Sequence, residues 1–196
     1  MTPSEETASL RRGIRLDLII AVCALLISSL ATAASFWQSR VVAEQLSSQV
    51  WPYLSFQTTY DPKFVSLEIA NDGLGPAIIR SMVLTVDGRI YPDPSQAFRR
   101  VFRPEKGAVS AQLRGVSPGS VIRAGAAAQL FRINAKWAAR QYGAAAGRID
   151  FRVCYCSVLG NCWMISAREQ TQDPHPMSSC PDPGAAQYRV SPGRIL

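Results

Sequence analysis

Imidazole is nearly absent from this sequence: His175 is the only histidine in 196 residues. It stands in Asp173-Pro174-His175-Pro176, a Pro-rich tail that reads as a solvated loop. A Ser/His/Asp or Cys/His arrangement would therefore have to be built on a mobile base. No Cys-x-x-Cys occurs, which excludes thioredoxin-like redox chemistry. Paired carboxylates for acid/base work are also missing, because Asp72 and Asp87 fall among turn formers, where Asp is favoured for local hydrogen bonding. Gly73-Leu74-Gly75 precedes a strand pattern, so it lacks the helix N-terminus that cradles a phosphate. The expectation is a chain with no enzymatic activity, catalytic residue or cofactor.

Dense charge is scarce as well. The formal net charge is +7, which raises the question of an acidic partner, but the arginines from Arg80 to Arg168 are mostly scattered singly. That is the pattern of a solvated surface. Phe98-Arg99-Arg100-Val101-Phe102-Arg103 is the one concentrated basic and aromatic stretch. The first expectation is an amphipathic surface helix with Phe98 and Phe102 docked at i and i+4. The alternative is a patch of Phe98, Arg99, Arg100, Phe102 and Arg103 for lipid or a protein partner. Nucleic acid is not an expected partner, because the domain is read as exported.

Charge is wholly missing from Leu18 to Trp37, a run of 37 − 18 + 1 = 20 residues. At ~1.5 Å per helical residue this run spans about the 30 Å hydrocarbon core. Residues 16–38 are thus expected to form a transmembrane helix. Arg11, Arg12 and Arg15 precede it and only Arg40 follows closely, so the positive-inside rule puts residues 1–15 in the cytoplasm. A cleaved signal peptide is the competing reading, since Ala31-Thr32-Ala33 fits a small-residue cleavage site. Apolar character continuing to Trp37 favours the anchor; both readings export the C-terminal remainder of the chain. Ala24, Ser28, Ala31 and Ser35 place small residues on one helix face, where a second copy could approach to form a homodimer. Val42, Leu46 and Val50 continue at helical spacing, giving a stalk over 39–51 that Pro52 ends.

From there the period changes. Val65, Leu67 and Ile69 alternate with Ser66 and Glu68, as a half-buried strand does. Asn71 to Pro76 gathers turn formers, an apolar run fills Ala77 to Val86, and Asp87-Gly88 is a second turn; together they read as a hairpin or meander. Pro52–Thr58, Ala128–Ile133, Ile149–Tyr155 and Trp163–Ala167 complete six strands, the last two joined by a turn at Gly160-Asn161. Short helices are expected at Pro94–Phe102 and Ala135–Gln141, with Asn134 as the N-cap of the second. The fold class is mainly β, an Ig-like β-sandwich over 52–170 with short peripheral helices, or a small barrel, followed by a Pro-rich tail over 171–196.

The order of a membrane helix, a polar stalk, Trp51-Pro52-Tyr53-Leu54 and Asn71-Asp72-Gly73-Leu74-Gly75-Pro76-Ala77 resembles uncharacterised bacterial single-pass envelope proteins. The resemblance implies an Ig-like domain held outside the cytoplasm by an inner-membrane anchor. It brings no catalytic residues. The Cys-rich last hairpin and the tail depart from that pattern.

Of five cysteines, Cys23 lies in the apolar segment, leaving Cys154, Cys156, Cys162 and Cys180. An even number in an exported domain points to two disulfides. Ile149, Phe151, Val153 and Tyr155 share one strand face, so Cys154 and Cys156 occupy the other, and Cys162 joins them from the returning arm. Cys154 and Cys156 cannot readily bond each other, being roughly 6.8 Å apart with parallel Cβ vectors. The economical pairing is Cys156 to Cys162 across the hairpin and Cys154 to Cys180 from the tail. A zinc site using these thiols and His175 is the alternative, disfavoured because Cys-x-Cys on a strand splays the sulfurs. Two functions fit: a non-enzymatic interaction or structural module with a protein partner, or a sensory module binding a small molecule or cell-wall fragment.

Overall fold

The computed structural model describes residues 3–103, 110–113, 116–169, 171 and 173–189. Met1, Thr2 and the end of the expected tail, 190–196, lie outside the described residues. The chain divides into two units, Met1–Ser48 and Gln49–Leu196.

The first unit is one helix, α1 (Pro3–Gln49). No proline follows Pro3 within it and Gly13 is its only glycine, so nothing breaks the hydrogen-bond ladder. The segments read separately as N-terminus, membrane span and stalk are therefore one helix, which stops at Gln49, short of Pro52. Leu18–Leu46 is long and apolar enough to cross a membrane, and none of it is buried. Its hydroxyls turn inward on the backbone: Ser28 Oγ donates to the Ala24 carbonyl at 2.7 Å and Ser35 Oγ to that of Ala31 at 2.9 Å. Such bonds leave no polar group wanting in an apolar medium.

The second unit runs β1 (Leu54–Asp61), β2 (Phe64–Asn71), β3 (Ala77–Val86), β4 (Arg89–Ile90), α2 (Pro94–Val101), β5 (Ser110–Leu113), β6 (Val121–Ile122), β7 (Ala127–Asn134), α3 (Lys136–Ala145), β8 (Ile149–Cys156), β9 (Cys162–Ser166) and β10 (His175–Met177). These form two antiparallel sheets. One has the order β1-β2-β7-β5; the other has the order β10-β9-β8-β3-β4, with β6 also paired to β3. Alternation decides which residues meet between them. Val65, Leu67 and Ile69 from β2 share one buried cluster with Met82 and Leu84 from β3 and Phe151 and Val153 from β8. Each such side chain contributes roughly 1.5–3 kcal/mol by leaving water. Phe131 of β7 lies 6.4 Å from Phe151 across the core.

Three expectations need correcting. Asn71 to Pro76 is not a hairpin turn: it carries the chain from β2 in one sheet to β3 in the other, because Asn71 is fully buried and its side chain bonds four backbone groups. Asn134 does not cap α3. Ala135 takes that position without a side-chain bond, since the Asn134 side-chain Oδ1 accepts from Arg132 Nε at 3.0 Å. The tail folds back to bond Cys154 through Cys180 as the pairing required, but His175 is not on a loop. Residues His175–Met177 pair with Met164–Cys162 as β10, and the chain then crosses the outer face of the larger sheet. At the far margin Tyr188 N–H donates to the Met82 carbonyl and Arg189 N–H to that of Pro92, both at 2.8 Å. Tyr188 is buried in the core, 6.0 Å from Phe151. The tail is thus a strap fastened at both edges of the sheet.

The turn at Asp87-Gly88 has φ of 51° and 77°, the doubly left-handed geometry of a two-residue hairpin that Asp-Gly suits. Pro94 opens α2, and Asp93 caps it by accepting from Ser95 N–H at 2.9 Å.

Candidate functional site

The segments Trp51–Leu54 and Asn71–Ala77, far apart in sequence, lie against each other. Asp72 N–H donates to the Tyr53 carbonyl at 2.8 Å and Leu74 N–H to that of Trp51 at 2.9 Å. Asn71 links both segments. Its Oδ1 accepts from Tyr53 N–H (3.2 Å) and Gly73 N–H (3.1 Å), and its Nδ2 donates to the carbonyls of Gly75 (2.8 Å) and Ile122 (2.9 Å). Ser55 Oγ donates to the Asp72 carboxylate. The glycines are there for close approach: a Cβ on Gly73 would fall 2.3 Å from Tyr53 N, and one on Gly75 only 1.9 Å from the Val50 carbonyl oxygen. The Trp-Pro-Tyr-Leu and Asn-x-Gly-x-Gly-Pro signals are thus two halves of one lock. Trp51 stands edge-on to Tyr53 at 5.5 Å, and Trp51 and Leu74 remain exposed.

Beside the lock lies the sulfur cluster. Cys154 bonds Cys180 and Cys156 bonds Cys162, so the sulfurs of the C-x-C strand do part to different partners. Cys156 Sγ is 3.8 Å from Cys180 Sγ. All of Cys154, Cys156 and Cys162 are buried, because the strap covers the face on which they stand. The sulfurs of Cys156, Cys162 and Cys180 lie within 4.8 Å of one another, but metal ligation needs thiolates, which disulfide bonding removes. His175 is elsewhere, its Nε2 2.8 Å from Glu169 Oε2 in an exposed pair. Cys23 is a free, exposed thiol on α1.

Cavities among the described residues offer room. One of about 150 Å³ lies beneath the strap, lined by Ser81, Val83, Arg152, Cys154, Met164 and Pro181 among others. A shallower one of about 270 Å³ lies among Val101, Arg103, Gln141 and Arg148, at the edge of α2 and α3.

Of the two readings of the basic and aromatic stretch, the docked amphipathic helix is the one found and the patch needs a correction: Phe98 and Phe102 belong to the core, at 4.8 Å from Phe131 and 6.2 Å from Trp137 respectively, so they form no surface patch. Arg99, Arg100 and Arg103 alone stay exposed. Ala24, Ser28, Ala31 and Ser35 fall along α1 as exposed residues.

Titration is shifted for structural reasons. Burial pushes the phenol of Tyr155 up to about 12 and raises those of Tyr188 and Tyr142. The hydrogen bond from Arg148 holds Asp87 below the usual carboxylate range. Burial opposes ionisation of Asp93, but the bonds from Ser95 outweigh it and lower its value.

No protein-family model and no curated protein matches the chain.

Proposed function

We propose that this chain is a single-pass bacterial inner-membrane protein whose β domain, an Ig-like sandwich outside the cytoplasm, is a non-enzymatic protein-interaction or structural module. The observation that carries the reading is the wholly exposed apolar stretch Leu18–Leu46, which water would not tolerate and lipid would. Its 29 residues rise about 43 Å, enough to cross the roughly 40–45 Å bilayer with its headgroups. The two disulfides support the exported side, since such bonds persist in oxidising compartments. The resemblance to envelope proteins points the same way. In-cell cross-linking followed by affinity purification in detergent is expected to recover a partner in stoichiometric amount; recovery of the chain alone would count against an interaction role.

The cavity beneath the strap favours a second reading, a sensory module for a small molecule or cell-wall fragment. Ligand binding raises the unfolding midpoint by mass action, so a thermal-shift screen of muropeptides and small anions separates the two. A shift abolished by Arg152→Ala would select the sensory reading.

A further inference from the structure

The β domain has two unlike ends. One, termed proximal, is where the chain arrives from α1. It holds the starts of β1 and β3, the ends of β2, β6 and β8, and the β8–β9 turn. Cross-strand pairing carries a row along this end from Val121 through Ile78, Cys156 and Cys162 to Met177. Among the described residues of the domain, eight large apolar side chains are exposed, and six of them gather here: Trp51, Leu74, Val121, Val158, Leu159 and Met177. Leu74 is 73% exposed at the tip of the lock and Leu159 is 47% exposed at the tip of the hairpin. Charge is distributed the opposite way. The proximal loops 71–76, 123–125 and 157–161 contain one acid, Asp72, which accepts from Ser55, and one base, Arg123. The distal turns hold Asp61, Lys63, Asp87, Arg148, Arg168 and Glu169.

We infer that the proximal end of the β domain is a membrane-docking surface, seated in the interfacial layer of the bilayer that α1 crosses. It rests on the reading of α1 as a span. Chain length makes the occupant local: only four residues lie between Leu46, the last of the apolar stretch, and Trp51, so the lock is tethered within roughly 18 Å of it however the chain bends. Arg40 and Glu44 mark the last turns of that stretch as headgroup-level, and Arg40 lies over the Phe36 ring at 5.0 Å. The chemistry of the end suits that layer. Trp51 and Tyr53 are the side chains that favour a boundary between apolar and wet, and Leu74, Val158 and Leu159 are wedges that enter the acyl boundary without dragging charge behind them. Arg123 faces phosphates. Both tips are rigid, one held by Asn71 and the other closed by Cys156–Cys162, so little order has to be gained on docking.

The test uses the full chain in liposomes of phosphatidylethanolamine and phosphatidylglycerol. Nitroxides are placed by Leu74→Cys, Leu159→Cys and, as the distal control, Lys63→Cys, each with Cys23→Ser and with intact mass verifying two disulfides. Positions 74 and 159 are expected to be shielded severalfold from a water-soluble relaxant relative to 63, and to gain relaxation from oxygen. In the unmodified chain, a lipid bearing a photoreactive headgroup is expected to label residues 73–76 and 157–161. Equal water access at all three positions, or photolabelling confined to α1, overturns the inference while leaving the anchor intact. Cross-links between copies at 74 in place of lipid adducts also overturn it, in favour of a second copy. Extraction of the chain by alkaline carbonate defeats the anchor reading itself, and this inference with it.

Discussion

Asn71 concentrates more of the domain's structure than any other polar side chain among the described residues. Four backbone groups depend on it in a buried setting, and an unsatisfied buried polar group costs about 1–3 kcal/mol. Asn71→Leu is expected to destabilise the domain by about 3 kcal/mol or more in urea unfolding, with Trp51 fluorescence moving first. An unchanged midpoint would mean that water replaces the side chain. Tyr155 ties the lock to the core, since Leu54 N–H donates to its hydroxyl at 3.3 Å. Its pKa is raised in the fold, from 10.0 to about 12, so its contribution is complete below about pH 10 and is lost as pH rises through the folded value. Two units correspond to about 2–3 kcal/mol. Tyr155→Phe should therefore flatten the alkaline limb of a stability profile taken between pH 8 and 12; an identical limb would assign it to other groups. Asp87 has the opposite sign: its depressed value gives stability above about pH 4 that declines on acidification, and Asp87→Asn removes that slope.

At the scale of elements, legibility in the sequence depended on whether order is local. β2, β3 and β8 were legible because alternation or an apolar run identifies a strand by itself, and α2 because Phe98 and Phe102 at i and i+4 mark a buried face, although its Asp93 cap was not foreseen. β4, β6 and β10 were not, being two or three residues long and held by their neighbours. The strap was least legible of all. Prolines and small residues dominate it, and its order comes from β9, Cys154 and the Met82 carbonyl, all contributed from elsewhere. The lock was half legible: its residues stood out, but their joint role was hidden, because a buried Asn bridging segments 18 residues apart leaves no periodic trace. Loop-closure entropy orders the two bridges. Cys154–Cys180 closes a separation of 26 residues and Cys156–Cys162 one of 6, corresponding to roughly 3.5 and 2 kcal/mol. Cys154→Ala with Cys180→Ala should therefore cost more in unfolding free energy than Cys156→Ala with Cys162→Ala. The reverse order would show that the strap is held mainly by its backbone bonds.

For the whole molecule, anchor and export meet in one measurement. Alkylation of the unreduced chain is expected to add a single label, at Cys23, and alkylation after reduction to add five. A mature product that takes no label before reduction and four after it has lost the N-terminal segment as a signal peptide. The candidate site remained only partly readable at this scale, because the gathering of apolar side chains at one end arises from sheet register. Val121, Val158 and Met177 are ordinary singly in sequence, and become neighbours only when strands pair.

The strap also sets a timetable for biogenesis. On the proposed route of export, which like synthesis runs from the N-terminus, Cys154, Cys156 and Cys162 emerge together while Cys180 is still to come. In that interval Cys154 has no correct mate and Cys162 is within reach of both Cys154 and Cys156. A cell lacking its disulfide-shuffling catalyst should accumulate a product cross-linked between Cys154 and Cys162, with its last strand unattached and open to proteases.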